Sequence, residues 1–547
     1  MDASPPTCHL PCVVQVGFAG SRQLFDPMPE GPHRESLERE LEAYLCDCLE
    51  SLGDTLRLDA QRHFLCGISQ VAIGADAAFT RACRALGMPQ RIFLPQQEDA
   101  YLAARGPGGV ADFSEEQSRE ARELLQSTHI VERRVVSDAS DRQSRFEDTN
   151  FEIAAESDLV ICLLREGAEP KRGGTLQLLE LAKHRGIPAM EIEVSLREGR
   201  PCFEERWHDL DRFTTPQLPR SMQELRMQAP PSGSALSSIG QFADAVKGHA
   251  SQRAALQRKL FGYAALVVIF AHILATLAAT MVLAEHGAPD SVATETNPSP
   301  AFWIPITLGM ELVFLLSGFS VHKWLHKWHV AREWAIARLT AEINRSVQCL
   351  GQLHTPLDYL FRLRLPPELT PLLRTLNILH LSTTRQSRGE PWQDLRDQYV
   401  RRRLSDSDPN QGQIAYYEQS SAKEKRHLAR ANRVFNWLTV GAIAATITKI
   451  AMSMTYLSVP VLEKGLGIAA VGFPVLAVGA ISWAVAQGYE ARVKQFCEMA
   501  SYLRVQREAL RLATGPRTFC RRLQETELRL LGETAEWYAR QTFRSVT

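Results

Sequence analysis

The sequence predicts a protein of two parts, an α/β domain built on a parallel sheet and an α-helical membrane domain with four transmembrane helices. Three observations predict it. Between residues 11 and about 195, apolar strand-like runs alternate with helical stretches, the pattern of a parallel sheet covered by helices. Glycine-rich turns follow several of those strands. Beyond residue 260, four apolar segments each reach the length, on the order of 20 helical residues, that crosses a hydrocarbon layer of about 30 Å.

The first strand is "CVVQVGF", and it runs into "GFAGSR" (17–22). An apolar strand ending in glycine, a small residue, glycine, serine and arginine is a common way to present backbone amides to a phosphate. "HRESLERELEAYLCDCLESLG" follows as a helix with periodic leucines. "FLCGISQVAIGADAAFTRACRALGMPQRIFLP" then reads as strand, glycine turn, helix and strand. In it, Gly74 makes the turn and places Ala75 and Asp76 at a helix start, where amides and the dipole's positive end hold an anion; Asp76 as a plain N-cap is the alternative. "SDLVICLLREG" supplies another buried strand, and "KRGGTLQLLELAKHRGIPAMEIEV" adds a glycine turn, a helix and a final strand. Three such turns at strand C-terminal ends converge on one crevice in an open α/β sheet.

The four apolar segments are 260–284, 301–321, 434–458 and 466–486, arranged as two hairpins. Arg253, Arg258 and Lys259 precede the first, and Lys323, Lys327 and Arg332 follow the second. Lys423, Lys425, Arg426, Arg430 and Arg433 precede the third, and Arg492 and Lys494 follow the fourth. Basic flanks mark the cytoplasmic side, so both hairpins are expected to keep their ends, and the chain its termini, in the cytoplasm of a cell with this protein in its inner membrane. His272, Glu311 and Lys449 interrupt the spans, and ionisable groups there face a bundle interior or an aqueous path, snorkelling being the alternative. Gly467, Gly472, Gly479 and Ser482 let helices approach closely, which favours assembly into a homo-oligomer. His322, His326 and His329 share a helical face, a spacing that could bind zinc; interleaved with Trp324, Trp328 and Trp334 they read instead as an interfacial belt, and no metal is expected.

Totals set the outer limits. At 547 residues and a prior of roughly 150 residues per domain, several modules are expected. Lys+Arg and Asp+Glu are both 62, which argues against a nucleic-acid binder with a basic field. The 11 cysteines form no metal-type or disulfide pattern and suit a reducing cytosol. Residues 1–25 lack the features of a secretory signal, so the N-terminus is expected to stay inside.

The set "GFAGSR", "GAD" and "RGGT" resembles the SLOG superfamily of Rossmann-like, LOG- and DprA-like nucleotide-sensing domains. The resemblance implies a ligand held by Gly17, Gly20, Ser21 and Arg22, by Gly74, Ala75 and Asp76, and by Gly173, Gly174 and Thr175, with Arg22 and Arg172 neutralising phosphate charge. For each arginine the alternative is a solvated surface charge. LOG enzymes read "PGGxGTxxE" where this chain has "RGGTLQLLE", with Gln177 and Leu178 near the place of the catalytic glutamate and Thr149 and Asn150 at the expected basic pair. Recognition without turnover is therefore expected, with no cofactor. Each hairpin, entered and left by polar helices, resembles the SLATT family of two-span membrane effectors, most of all in "GQIAYYEQSSAKEKRHLARANRVFNWL" (412–438). The expected layout is 1–235 sensor, 236–350 first two-span unit, 351–411 connector, and 412–547 second two-span unit. Together the resemblances imply a membrane effector gated by a nucleotide signal, an ADP-ribose derivative or cyclic oligonucleotide made by a separate enzyme, in anti-phage defence. A membrane-tethered nucleotide phosphoribohydrolase or N-glycosidase is the alternative.

Overall fold

The computed structural model describes residues 7–22, 24–25, 32–103, 113–228, 239–286, 330–350, 365–386, 391–407, 412–454 and 460–544, with scattered positions between 305 and 323 and between 357 and 363. It divides into two compact units, residues 1–247 with 344–390, and 248–343 with 391–547. The chain thus leaves the first unit and returns to it before completing the second. The stretch expected to be a connector, 351–411, is shared between the two.

In the first unit, β1 (Thr7–His9) pairs with β9 (Arg226–Gln228). The main sheet holds β2 (Cys12–Gly20), β3 (His63–Ser69), β4 (Gln90–Leu94), β5 (Ile130–Val135), β6 (Leu159–Arg165), β7 (Ala189–Arg197) and β8 (Arg200–His208). Its order is β5-β4-β3-β2-β6-β7-β8, parallel throughout except for the final β7–β8 pair. The architecture is Rossmann-like. The antiparallel edge strand lay beyond the region read as α/β, and the turn that makes it is Glu198 (φ 52°) and Gly199 (φ 78°), two positive φ values in the two-residue loop that right-twisted hairpins favour.

Strand alternation decides the layers. Val14, Val16 and Phe18 of β2 point to one face and pack with α1 (Pro32–Thr55) and α2 (Ala75–Ala85). Ala19 points to the other, with Ile153 and Ala154 of α5 (Arg142–Glu156) and Leu178, Leu179 and Ala182 of α6 (Thr175–Arg185). The helix Thr370–Gln386 completes that face. Its Ile378 packs on Val13 and Cys66, and its Thr375 Oγ1 accepts the Val13 N–H at 3.1 Å. On the same face Arg91, 2% exposed, is paired with Glu132 at 2.5 Å and with Glu156.

The second unit is helical. Among the described residues two helices are long and apolar enough to cross a membrane, Gln413–Met454 and Gly465–Arg511, with 11% and 22% of their most apolar windows buried. Val440, Ile443, Ile447, Ile450 and Met454 are all exposed, and their three- and four-residue spacing draws one apolar stripe along the helix. Buried core helices of a soluble protein would cover that stripe. Between the two helices, Gly441 leaves room for the Phe473 ring 3.1 Å from where a Cβ would stand, and Gly479 leaves room for Ile273 of a third helix, Ile239–His286. Elsewhere in this unit Arg403 holds Glu527 bidentately, both bonds 3.0 Å, and Tyr399 Oη donates to the same carboxylate at 2.6 Å.

Segment 260–284 lies in the helix Ile239–His286, which includes His272, whose side chain lies outside the described residues. Most of 301–321, with Glu311, and the three histidines 322, 326 and 329 also lie outside them. Lys449 Nζ stands 3.4 Å from the position of a Cβ on Gly467 of the facing helix.

Candidate functional site

The strand order reverses direction between β2 and β6, the two neighbours from which the chain winds outward both ways. Ligand crevices in open α/β sheets form beyond the C-terminal ends of the strands at this switch. The first turn leaves β2 there, the third leaves β6, and the second follows β3 next door. The structure therefore brings the three predicted turns to one edge of the sheet.

What their amides do is more specific. The Gly20 N–H donates to Asp76 Oδ1 at 3.0 Å, and the Ser21 N–H donates to the Leu163 carbonyl at 2.9 Å. The Gly173 N–H donates to Gln177 Oε1 at 2.8 Å, and the Gly174 N–H to the Lys171 carbonyl at 2.9 Å. Each of these amides already has an internal acceptor. Gly17 lies inside β2, where a Cβ would collide with Ser157 and Ile153; its glycine serves the close approach of α5. Gly74 (φ 79°) precedes α2, and a Cβ on it would stand 2.6 Å from the Arg22 carbonyl oxygen, so both its conformation and its space require glycine. Ala75 is fully buried.

Asp76 ties the first two turns together. It is 5% exposed, and its carboxyl is pushed up to about 7 by burial, against the pull of the Arg22 charge and of hydrogen bonds from the Gly20 and Ala72 amides. The Arg22 guanidinium lies 4.9 Å from the centroid of the Phe146 ring, and Arg142 lies 5.7 Å from the same centroid. Phe146 Cβ in turn stands 2.7 Å from where a Cβ on Gly173 would be, which joins the first turn to the third through one aromatic ring.

At the third turn, Arg172 donates from Nε to Glu147 Oε2 at 2.7 Å and from Nη2 to Ser144 Oγ at 3.3 Å. Gln177 Nε2 donates to Glu147 Oε1 at 2.7 Å. Hydrogen bonds from Arg172 and then Gln177 hold the Glu147 carboxyl below its ordinary value. Asn150 Nδ2 reaches the Gly174 carbonyl at 3.0 Å, Thr149 Oγ1 bonds the Arg145 carbonyl at 2.8 Å, and Thr175 begins α6. Glu180 pairs with Lys183 at 3.1 Å on the exposed side of that helix. Sequence reading missed Glu147, Phe146 and Arg142. They sit on the first turns of α5, 25 residues from Arg172 in the case of Glu147, and no local spacing marks them.

The opposite edge carries an open cleft of about 670 Å³, lined among others by Asp158, Phe213, Thr215, Pro367, Thr370 and Arg374. Asp158 Oδ1 accepts from Arg374 Nη1 at 2.6 Å and Oδ2 from the Gln15 N–H at 2.8 Å. Burial raises the Asp158 carboxyl against the opposing Arg374 charge. This cleft is remote from the glycine turns. Among the described residues no cluster of histidine, cysteine or acidic side chains is arranged to hold a metal.

No family model, curated protein or solved structure matches the chain.

Proposed function

We propose that this protein is a membrane effector controlled by a nucleotide-derived signal. The α/β unit receives the phosphate-bearing ligand at the three turns beside the β2–β6 switch, and the helical unit, as four spans with cytoplasmic termini in the inner membrane, responds by assembling or opening. The observation that carries the reading is the convergence of Gly20–Arg22, Gly74–Asp76 and Arg172–Thr175 at that switch in a chain that also has two membrane-length helices. Gln177, at the place of the LOG-type glutamate, is engaged as a cap for Gly173, an amide that supplies no negative charge to an oxocarbenium-like centre. This favours binding over hydrolysis. The role in anti-phage defence rests on the SLOG and SLATT resemblances.

A ligand shifts the helical unit only by its differential affinity for two states, about 5.5 kcal/mol for a full 99:1 reversal. Assembly of several copies spreads that requirement over several ligands. The test is dye release from vesicles containing the full chain, challenged with small-molecule extract from infected cells. Release is expected, with its loss in Arg22→Ala and no loss of membrane insertion. Release of equal extent in Arg22→Ala rejects control through these turns, and free base accumulating from nucleoside monophosphates at enzymatic rates replaces the reading with the hydrolase.

A further inference from the structure

We propose that Glu147 is a built-in occupant of the anion seat at the third turn, which a ligand phosphate must displace. The inference rests on the reading of these turns as the ligand site and adds how that site is regulated. The Glu147 carboxylate is held on both oxygens: Oε2 lies 2.7 Å from Arg172 Nε and 2.6 Å from its Nη2, and Oε1 lies 2.7 Å from Gln177 Nε2. Gln177 is itself fixed, because its Oε1 accepts the Gly173 N–H at 2.8 Å. Ser144 Oγ stands 3.3 Å from Arg172 Nη2. A guanidinium and a primary amide around one carboxylate form the kind of donor set that reads phosphate.

The first turn also holds an internal carboxylate, there against a backbone amide: Asp76 Oδ1 accepts the Gly20 N–H. Two internal carboxylates therefore hold donors of the turns, Asp76 the Gly20 amide and Glu147 the Arg172 guanidinium. The two differ in how readily they yield. Asp76 is 5% exposed and belongs to the core. In the Arg172–Glu147 pair the side chains are 54% and 21% exposed, so a displaced Glu147 reaches water instead of leaving a buried charge unpaired. A phosphate dianion carries more charge and more acceptor oxygens than the carboxylate it replaces. The latch thus selects phosphate-bearing ligands over neutral nucleosides and keeps Arg172 occupied until one arrives.

The test is titration of ADP and inorganic pyrophosphate into the detergent-solubilised full chain, with adenosine as the phosphate-free control. Glu147→Gln keeps the side chain's size and removes its charge. It is expected to bind both phosphate probes several-fold tighter than the unmodified chain, with adenosine affinity unchanged and the gain abolished in Glu147→Gln/Arg172→Ala. Glu147→Ala, tested in parallel, is expected to show the same gain and covers a failure of the glutamine variant to fold. Equal affinity for the phosphate probes in the variants and the unmodified chain, or a gain that survives loss of Arg172 or extends to adenosine, overturns the latch and leaves the proposed ligand site standing. Binding of neither probe by any of the proteins overturns both.

Discussion

The two edges of the central sheet use the same chemistry to opposite ends. At the edge where the strands begin, guanidinium and carboxylate groups are more withdrawn from water: Arg91 and Glu132 are 2% and 4% exposed in their side chains, and Arg374 and Asp158, in the cleft, are 24% and 14% exposed. At the edge where the strands end, the Arg172–Glu147 pair is 54% and 21% exposed. Burial decides what such a pair does. Separating a buried pair strands a charge in a poor solvent, so the pair is a permanent fastening. Separating an exposed pair hands both groups to water, so the contact is weak and exchangeable.

The largest effect that sharpens this contrast is expected from Arg91→Ala. It leaves Glu132 without its buried cation and Glu156 with Arg134 alone and costs about 3–5 kcal/mol, read as loss of hydrogen-exchange protection in β4 and β5 of the full chain. A protection pattern equal to that of the unmodified chain would break the distinction between the edges. Gly74→Ala comes next. The added Cβ meets the Arg22 carbonyl in a left-handed conformation, with an expected cost of about 1–3 kcal/mol and faster exchange at the start of α2; unchanged exchange there would mean that the turn relaxes freely.

A third effect is a pH slope from Asp76. Its carboxyl titrates near 7 in the folded protein against an ordinary 3.8. Between those values the folded state holds a proton that the unfolded state releases, so stability falls as pH rises from about 4 to about 7. Asp76→Asn is expected to remove that contribution, and urea midpoints of the α/β unit at pH 5 and pH 8 should then move closer together. A pH dependence identical in Asp76→Asn and the unmodified chain would show that the carboxylate is already solvated, which would make the first turn as exchangeable as the third.

Much of the α/β unit was legible in the sequence because its signals are local. Val14, Val16 and Phe18 show the two-residue period of a strand, and Gly20, Gly74 and Gly173 punctuate strand ends. The edge strand Arg200–His208 was less legible, since its residues are mostly polar and half-exposed. Glu147, Phe146 and Arg142 were illegible as site residues, because nothing in the text of one helix announces which loop it will face. The helix Thr370–Gln386 was read as connector, and only its contacts with Val13 and Cys66 place it on the sheet.

By itself the sequence determined the periodicities: strands that alternate, turns that need glycine, and apolar runs as long as a bilayer is thick. These follow from backbone geometry and solvent preference, which act over a few residues. Tertiary structure alone decided which acceptor each turn amide meets. Gly20 finds Asp76 across 56 residues, and Ser21 finds the Leu163 carbonyl on the neighbouring strand. A hydrogen bond needs its partner within about 3 Å, and only the folded chain fixes which partner that is.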